Sequence, residues 1–273
     1  MPILSAAVAA VLLDSRYRLD VRRYNLYSKK LPSGFNGFRI VQLSDLHGAE
    51  FGAGNCRLIK TVAGIKPDII AMTGDFIEGD RGTDCLCQLE QLLLGLRAIA
   101  PVYYINGNHE WLSGSVSGLE EMLQRLGVTY LRNDCVRLYS GGSSIILCGL
   151  EEFSRLGDGF TLYKFISDIR SANQEDYILM LAHRNNWAET YKGLDVDAIL
   201  CGHGHGGIIR LPMIGGLIGV GGDIFPRYTG GHYRTRRYDL IISRGLGPTR
   251  PLEIPRFLNS PHIPVIQLNC EEN

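Results

Sequence analysis

The sequence lacks net charge: its 273 residues carry 28 basic and 28 acidic side chains. A chain that coats nucleic acid needs a basic surface, so no nucleic-acid partner is expected. Two arginine-rich stretches, RYRLDVRR (16–23) and RYTGGHYRTRR (227–237), are the local exceptions. The first reads equally well as solvated arginines near a sheet edge. A membrane-spanning run is also missing, because the apolar segment ILSAAVAAVLL (3–13) is well short of the about 20 residues that a bilayer requires. No basic residues precede that segment and no clear cleavage site follows it, which argues against a signal peptide. It is left as a frayed amphipathic helix, a short peripheral anchor or the remnant of a longer anchor. Cysteine is scarce and odd in number: seven residues, several in apolar runs such as IILCGL and AILCGH. That pattern suits buried thiols in a reducing compartment rather than a disulfide framework. Cys85 and Cys87 have the wrong spacing for a zinc knuckle, and no second pair follows them. There is no P-loop, and no strand–glycine–helix order surrounds the glycines of 219–231, which argues against a nucleotide-dependent transferase.

What is present is a chain long enough for a sizeable core, with 45% hydrophobic residues. FRIVQLS (38–44), DIIAMTG (68–74) and PVYYING (101–107) read as buried strands, separated by helical patterns over 55–65 and 84–99. The second half is richer in strands: VTYLRN, VRLYS and SIILCGL, with Gly141-Gly142 as a hairpin turn, then YILMLAH (177–183) and DAILCGH (197–203) around a helix at 161–171. IIRLP, YDLIISRGLG and PVIQLN close the chain. The expected fold is α/β, with two packed mixed β-sheets flanked by helices. Residues 1–35 would form an N-terminal apolar and basic arm near a membrane, and 36–273 one domain without an internal linker.

Five of these strands run into polar residues at their C-terminal ends: Asp45 and His47, Asp75, Asn108 and His109, His183, and His203 and His205. In α/β sheets this edge is where ligand crevices form. Five of the seven histidines belong to the set, and only His232 and His262 lie outside it. Carboxylate, imidazole and amide oxygen without cysteine suit a zinc, manganese or iron site. Seven candidate ligands suit two ions sharing a carboxylate. In CGHGHGG (201–207), the glycines permit a tight turn and close approach. If the strand continues, His203 and His205 share one face and reach ions about 3.5–4 Å apart.

The set SDLHG, TGD, GNHE, LAHR and GHGH, in that order over about residues 38–210, resembles the calcineurin-like metallophosphoesterase superfamily. PRYTGGHY (226–233) followed by ISRGLG (242–247) is similar to its YkuE/YaeI-type branch, many of whose members carry an N-terminal membrane segment. The resemblance implies an αββα sandwich and two divalent metal ions. Asp45, His47 and His205 would hold the first ion; Asn108, His183 and His203 would hold the second; Asp75 would bridge them. His109 would be the non-ligand histidine that stabilises the transition state or protonates the leaving oxygen, and Glu110 fits the acidic position after it. Water activated between the ions would attack phosphorus. Arg184, Arg227 and Tyr228 are candidate substrate-binding residues, since an arginine clamps phosphate well. The 219–231 glycines would form either a mobile flap or hairpin turns.

The function expected is hydrolysis of a phosphodiester, pyrophosphate or phosphomonoester. Some relatives of the branch resemble a lipid-A precursor pyrophosphatase, so a lipid-linked pyrophosphate at the membrane surface is the alternative. A non-catalytic metal-binding scaffold is the alternative of another class. A cytoplasmic location is expected, with weak peripheral contact to the inner face of the cell membrane through the N-terminus as its variant.

Overall fold

The computed structural model describes residues 2–78, 82–152, 161–185, 188–211, 213–248 and 255–271. Along the chain the elements are α1 (Pro2–Tyr17), β1 (Asp20–Ser28), β2 (Arg39–Leu43), α2 (Cys56–Ile65), β3 (Ile69–Thr73), α3 (Gly82–Arg97), β4 (Val102–Ile105), α4 (Asn108–Leu112), α5 (Val116–Arg125), β5 (Thr129–Tyr130), β6 (Asp134–Ser140), β7 (Ser143–Gly149), α6 (Leu162–Ala172), β8 (Ile178–Arg184), β9 (Ala198–Gly202), β10 (Arg210–Leu211), β11 (Gly215–Gly216), β12 (Gly231–Arg234), β13 (Asp239–Ile242) and β14 (His262–Cys270).

Two six-stranded sheets result, in the orders β1-β14-β2-β3-β4-β5 and β12-β13-β9-β8-β7-β6. Both are mixed. β2, β3 and β4 run parallel, as do β7, β8, β9 and β13, while β14–β2, β6–β7 and β12–β13 are antiparallel. Parallel strands covered on both faces must be apolar throughout, and β3 and β9 are buried at every position. Ile40, Ala71 and Ile105 of the first sheet meet Leu179, Leu200 and Ile241 of the second in a core between the sheets. On the outer face of the first sheet, α2 buries Leu58, Val62 and Ile65, a stripe at helical spacing. On the outer face of the second, α6 buries Leu162, Ile166 and Ile169. The layers are thus helix, sheet, sheet, helix. One buried polar tie joins the sheets directly beneath their C-terminal edges: the Gln42 amide donates to the Cys201 carbonyl (2.8 Å) and to Thr73 Oγ1 (3.0 Å).

Gly141 and Gly142, both at positive φ, form the β6–β7 turn, the geometry that a two-residue hairpin needs. All seven thiols are free, with Cys85, Cys148 and Cys201 buried. Two elements depart from the sequence reading. RYRLDVRR, expected in an N-terminal arm, leads into an edge strand, because β1 pairs parallel with β14 from Asp20 to Ser28. Of VTYLRN only Thr129–Tyr130 forms a strand. GNHE, for which no element was expected, opens α4. The apolar segment forms most of the sixteen-residue α1, and among the described residues no helix is long and apolar enough to cross a membrane.

Asp20 fastens β1 to the segment after β13: Arg244 donates to its carboxylate at 2.6 Å, and Arg22 does so at 3.0 Å. Burial opposes the charge of Asp20, but the two guanidinium groups outweigh it and hold the carboxyl below its usual range. A depressed folded-state pKa gives stability that is present above the ordinary carboxylate pKa and is lost as pH falls through the lowered value. Asp20→Asn should therefore lower the urea midpoint at neutral pH, and the gap to the wild type should close as the solution is acidified below the carboxylate range.

Candidate metal centre

The centre is made by the turns just past β2, β3, β4 and β9 and by His183 near the end of β8. At five positions the backbone there is left-handed without glycine: Asp45 (φ 53°), His47 (49°), Asp75 (58°), His203 (66°) and His205 (45°). Such conformations cost on the order of 1–3 kcal/mol each and persist only where the surroundings enforce them. Here the enforcement is visible. Asp45 N–H donates to the Gly74 carbonyl (2.9 Å) and His47 N–H to the Asp75 carbonyl (3.0 Å). Asp45 Oδ1 accepts from the His203 amide, and Asp75 Oδ1 accepts from the His109 amide, both at 2.8 Å. The loops lock one another through carboxylates that also belong to the centre. The close approach leaves no room for a side chain at Gly202 or Gly107, where an added Cβ would fall 2.4 Å from Asp45 Oδ2 and 2.2 Å from Asp75 Oδ1.

Among the described residues, three groups of donor atoms lie each within 4.8 Å: Asp45, His47 and His205; Asp75, His183 and His203; and His47, Glu78 and His109. The second oxygen of Asp75 lies between the first two groups, 3.1 Å from His183 Nε2 and 3.8 Å from His47 Nε2. His47 and His205 approach at 3.0 Å through their Nε2 atoms. Asn108 opens α4 and lines the same cavity. His203 and His205 do not share a strand face. β9 stops at Gly202, and the left-handed turn that follows sends the two rings into different groups, because a left-handed residue breaks the two-residue alternation of a strand.

The donor chemistry fits divalent ions. Asp45 Oδ2, Asn108 Oδ1 and His205 Nδ1 are buried without a hydrogen-bond partner, an arrangement that is costly unless something binds there. Burial and then His183 push the His203 imidazole down to about 3, and burial and then His47 hold His205 well below its ordinary value, so both rings keep lone pairs at neutral pH. His183 moves the other way. Burial opposes its charge, but the Asp75 carboxylate raises it to about 10. A proton therefore sits where a cation would, and metal binding must release it.

Two acidic residues organise the surroundings. Glu110 is fully buried and accepts from the amides of Asp75 (2.9 Å), Phe76 (2.7 Å) and Gly107 (2.8 Å) and from the Tyr104 hydroxyl (2.9 Å), which ties the TGD turn to the GNHE turn. Glu78 was missed in the sequence. It contacts His109 Nδ1 (3.1 Å) and His47 Nδ1 (3.3 Å). Burial opposes its charge, but the two imidazoles hold its carboxyl well below the usual range, and His109 is in turn raised against its own burial, chiefly by Glu78.

The cavity holds about 810 Å³ and is lined by His109, Arg184, Asn185, Arg227, Tyr228 and Thr229 among others, so all three candidate substrate-binding residues reach it. Arg184 is anchored to Glu152 (2.7 Å) and lies 3.5 Å from His203 Nε2. Arg227 sits over the Tyr228 ring at the outer rim, and both reach Glu189 at 3.4 Å. Asn185, also unanticipated, donates to the Tyr228 carbonyl. The 219–223 glycines form a turn closed by Gly219 N–H to the Asp223 carbonyl at 2.8 Å. The two histidines outside the set are structural: His232 pairs with Asp239 at 2.6 Å, and the buried His262 meets Tyr24 and the Arg244 amide.

The profile of the calcineurin-like phosphoesterases matches residues 38–207. The metallophosphoesterase YkuE of Bacillus subtilis is 30% identical over 257 residues, covering 92% of this chain and 86% of its own. The phosphodiesterase YaeI of Escherichia coli is 27% identical over 214 residues, 77% of this chain and 75% of its own. Among solved structures, the sulfate thiohydrolase SoxB of Thermus thermophilus superposes with a TM-score of 0.50 at 12% identity, covering 78% of this chain and 52% of that one, a likeness of fold. This chain spans about half the length of that structure's chain.

Glu110→Ala leaves the buried amides of Asp75, Phe76, Ile77 and Gly107 without this acceptor and should destabilise the protein by about 3 kcal/mol or more, measured by urea unfolding. Gly202→Ala should weaken metal binding by displacing Asp45, read by isothermal titration with manganese.

Proposed function

The chain belongs to the calcineurin-like phosphoesterases, and from that membership and the geometry of its centre we propose that it hydrolyses phosphoesters with two divalent ions. The observation that carries this reading is Asp75, whose second oxygen, in contact with His183, lies between two separate donor groups. Asp45, His47 and His205 would hold one ion, and Asn108, His183 and His203 the other, with Asp75 common to both. Manganese, zinc and iron all suit this donor set. When bound, the ions supply a water of lowered pKa and positive charge for the phosphoryl oxygens.

The chain's own residues do the rest. Arg184 stands at the inner wall and binds a non-bridging oxygen; its bond to Glu152 fixes its fork. Arg227 and Tyr228 receive the substrate at the rim. His109 holds a proton for the leaving oxygen, because Glu78 engages Nδ1 and leaves the other ring nitrogen for the cavity. Glu78 is a positioning residue, acting through His109 and His47. A diester is the first substrate class to test, since YaeI carries the name phosphodiesterase.

With bis(p-nitrophenyl) phosphate and manganese, His109→Ala should keep its metal and lose about 10²–10⁴-fold in kcat. The loss should be greater for a diester with an alkoxide leaving group, which needs the proton more. Equal turnover in wild type and variant on both substrates would remove His109 from the chemistry. Glu78→Gln should lower kcat with KM and metal content little changed.

A further inference from the structure

Past β13 the rest of ISRGLG (242–247) lies as a strap against the loop that carries Asp45. Leu246 N–H donates to the Ser44 carbonyl (3.0 Å) and Gly247 N–H to the Asp45 carbonyl (2.7 Å). The contact requires glycine. Gly245 has a φ of 72°, and an added Cβ there would fall 2.8 Å from Asp45 Cβ and 3.3 Å from His205 Nδ1. At Gly247 it would fall 2.0 Å from the Leu46 carbonyl oxygen. The strap is thus packed directly on two of the three residues that would hold the first ion.

Arg256 holds the strap. Its buried guanidinium donates to the carbonyls of Arg244, Gly245 (3.1 Å) and Gly247 (2.8 Å). It also donates to Asn259 Oδ1 at 3.4 Å. The Asn259 amide in turn donates to the carbonyls of His205 (2.7 Å) and Gly207 (3.3 Å). One side chain therefore supports the backbone behind both Asp45 and His205. A buried guanidinium is costly when no carboxylate pairs with it. Among the described residues every acceptor of Arg256 is neutral, and its Nε has none. Burial and then the neighbouring Arg244 push it down to about 9, which leaves it charged at neutral pH. What arginine offers at this cost is a rigid planar fork that spans several carbonyls at once.

The second ion position has another foundation. His183 belongs to β8, and its Nδ1 donates to the Thr73 carbonyl of β3 at 2.8 Å. Two strands hold that ring without the strap. On the first position, by contrast, His205 Nδ1 is buried with no partner, and the turn that carries the ring leans on Asn259.

We propose that Arg256, through the 244–247 strap and Asn259, is the positioning residue of the first ion position, so that its loss empties that position and leaves the second filled. This inference rests on the two-ion reading above.

The test is equilibrium dialysis of the full chain against manganese, with an anomalous map of each protein to locate the ions. The proteins are wild type, Arg256→Met, Arg256→Lys and Asn259→Ala. Arg256→Met should bind one ion as tightly as the wild type and the other about 10–100-fold more weakly. Its missing peak should be the one beside Asp45, His47 and His205. Asn259→Ala should weaken the same ion, and Arg256→Lys, which keeps the charge without the fork, should recover part of the loss. Two ions held by Arg256→Met as tightly as by the wild type overturn the proposal. So does equal weakening of both ions, the mark of a merely structural role. If Arg256→Met shows no cooperative urea transition, Asn259→Ala and Arg256→Lys decide by the same criterion. A wild type that binds a single ion overturns the two-ion reading and this inference with it. A wild type that binds two ions but leaves bis(p-nitrophenyl) phosphate intact, with the variants losing only the first ion, supports the positioning role and sinks the phosphoesterase reading instead.

Discussion

The centre depends on how two buried carboxylates divide their oxygens. Asp45 and Asp75 each give one oxygen to the backbone amide of another loop, His203 and His109 respectively, and keep the other for the donor groups of the centre. That division lets three turns from two sheets hold left-handed geometry at residues that would otherwise avoid it. The same carboxylates set the electrostatics: Asp75 retains a proton on His183 that a cation can replace, and Asp45 keeps one oxygen unpartnered. Loop architecture and metal affinity are therefore not separable here. A substitution that alters either carboxylate moves both.

The family fold serves this arrangement. Parallel strands put their C-terminal ends on a common edge, and stacking two such sheets brings two edges together. Gln42 marks the seam, hydrogen-bonded to Cys201 of the opposite sheet one turn below the site. The helices cover the outer faces and leave the edge open. The large cavity is what remains between the strand ends and the ribbon that leaves the second sheet.

Much of this was legible in the chain, because buried parallel strands write themselves as unbroken apolar runs. IIAMT and AILC are such runs, and the polar residue after each marks the edge. The seven candidate ligands could be named for the same reason. What escaped has physical causes. β1 is an edge strand whose burial is confined to a few positions, so DVRRYNLYS shows no apolar run and reads as a charged arm. That His203 and His205 do not share a strand face depends on left-handed φ values, which residue types outside glycine do not announce; their assignment to different ions came from the family resemblance. Glu78 and Asn185 matter through partners distant in sequence, His109, His47 and Tyr228, and no local pattern encodes such pairs. Glu110 was visible as an acid in the right place; only the structure shows that it serves backbone amides rather than an arginine.

The central claim is that one centre holds two ions through a shared Asp75. The most direct measurement is an anomalous difference map from crystals grown with manganese. The account predicts two peaks per chain, one beside Asp45, His47 and His205 and one beside Asn108, His183 and His203, with Asp75 touching both. A single peak, or two peaks with Asp75 bound to only one of them, would contradict it.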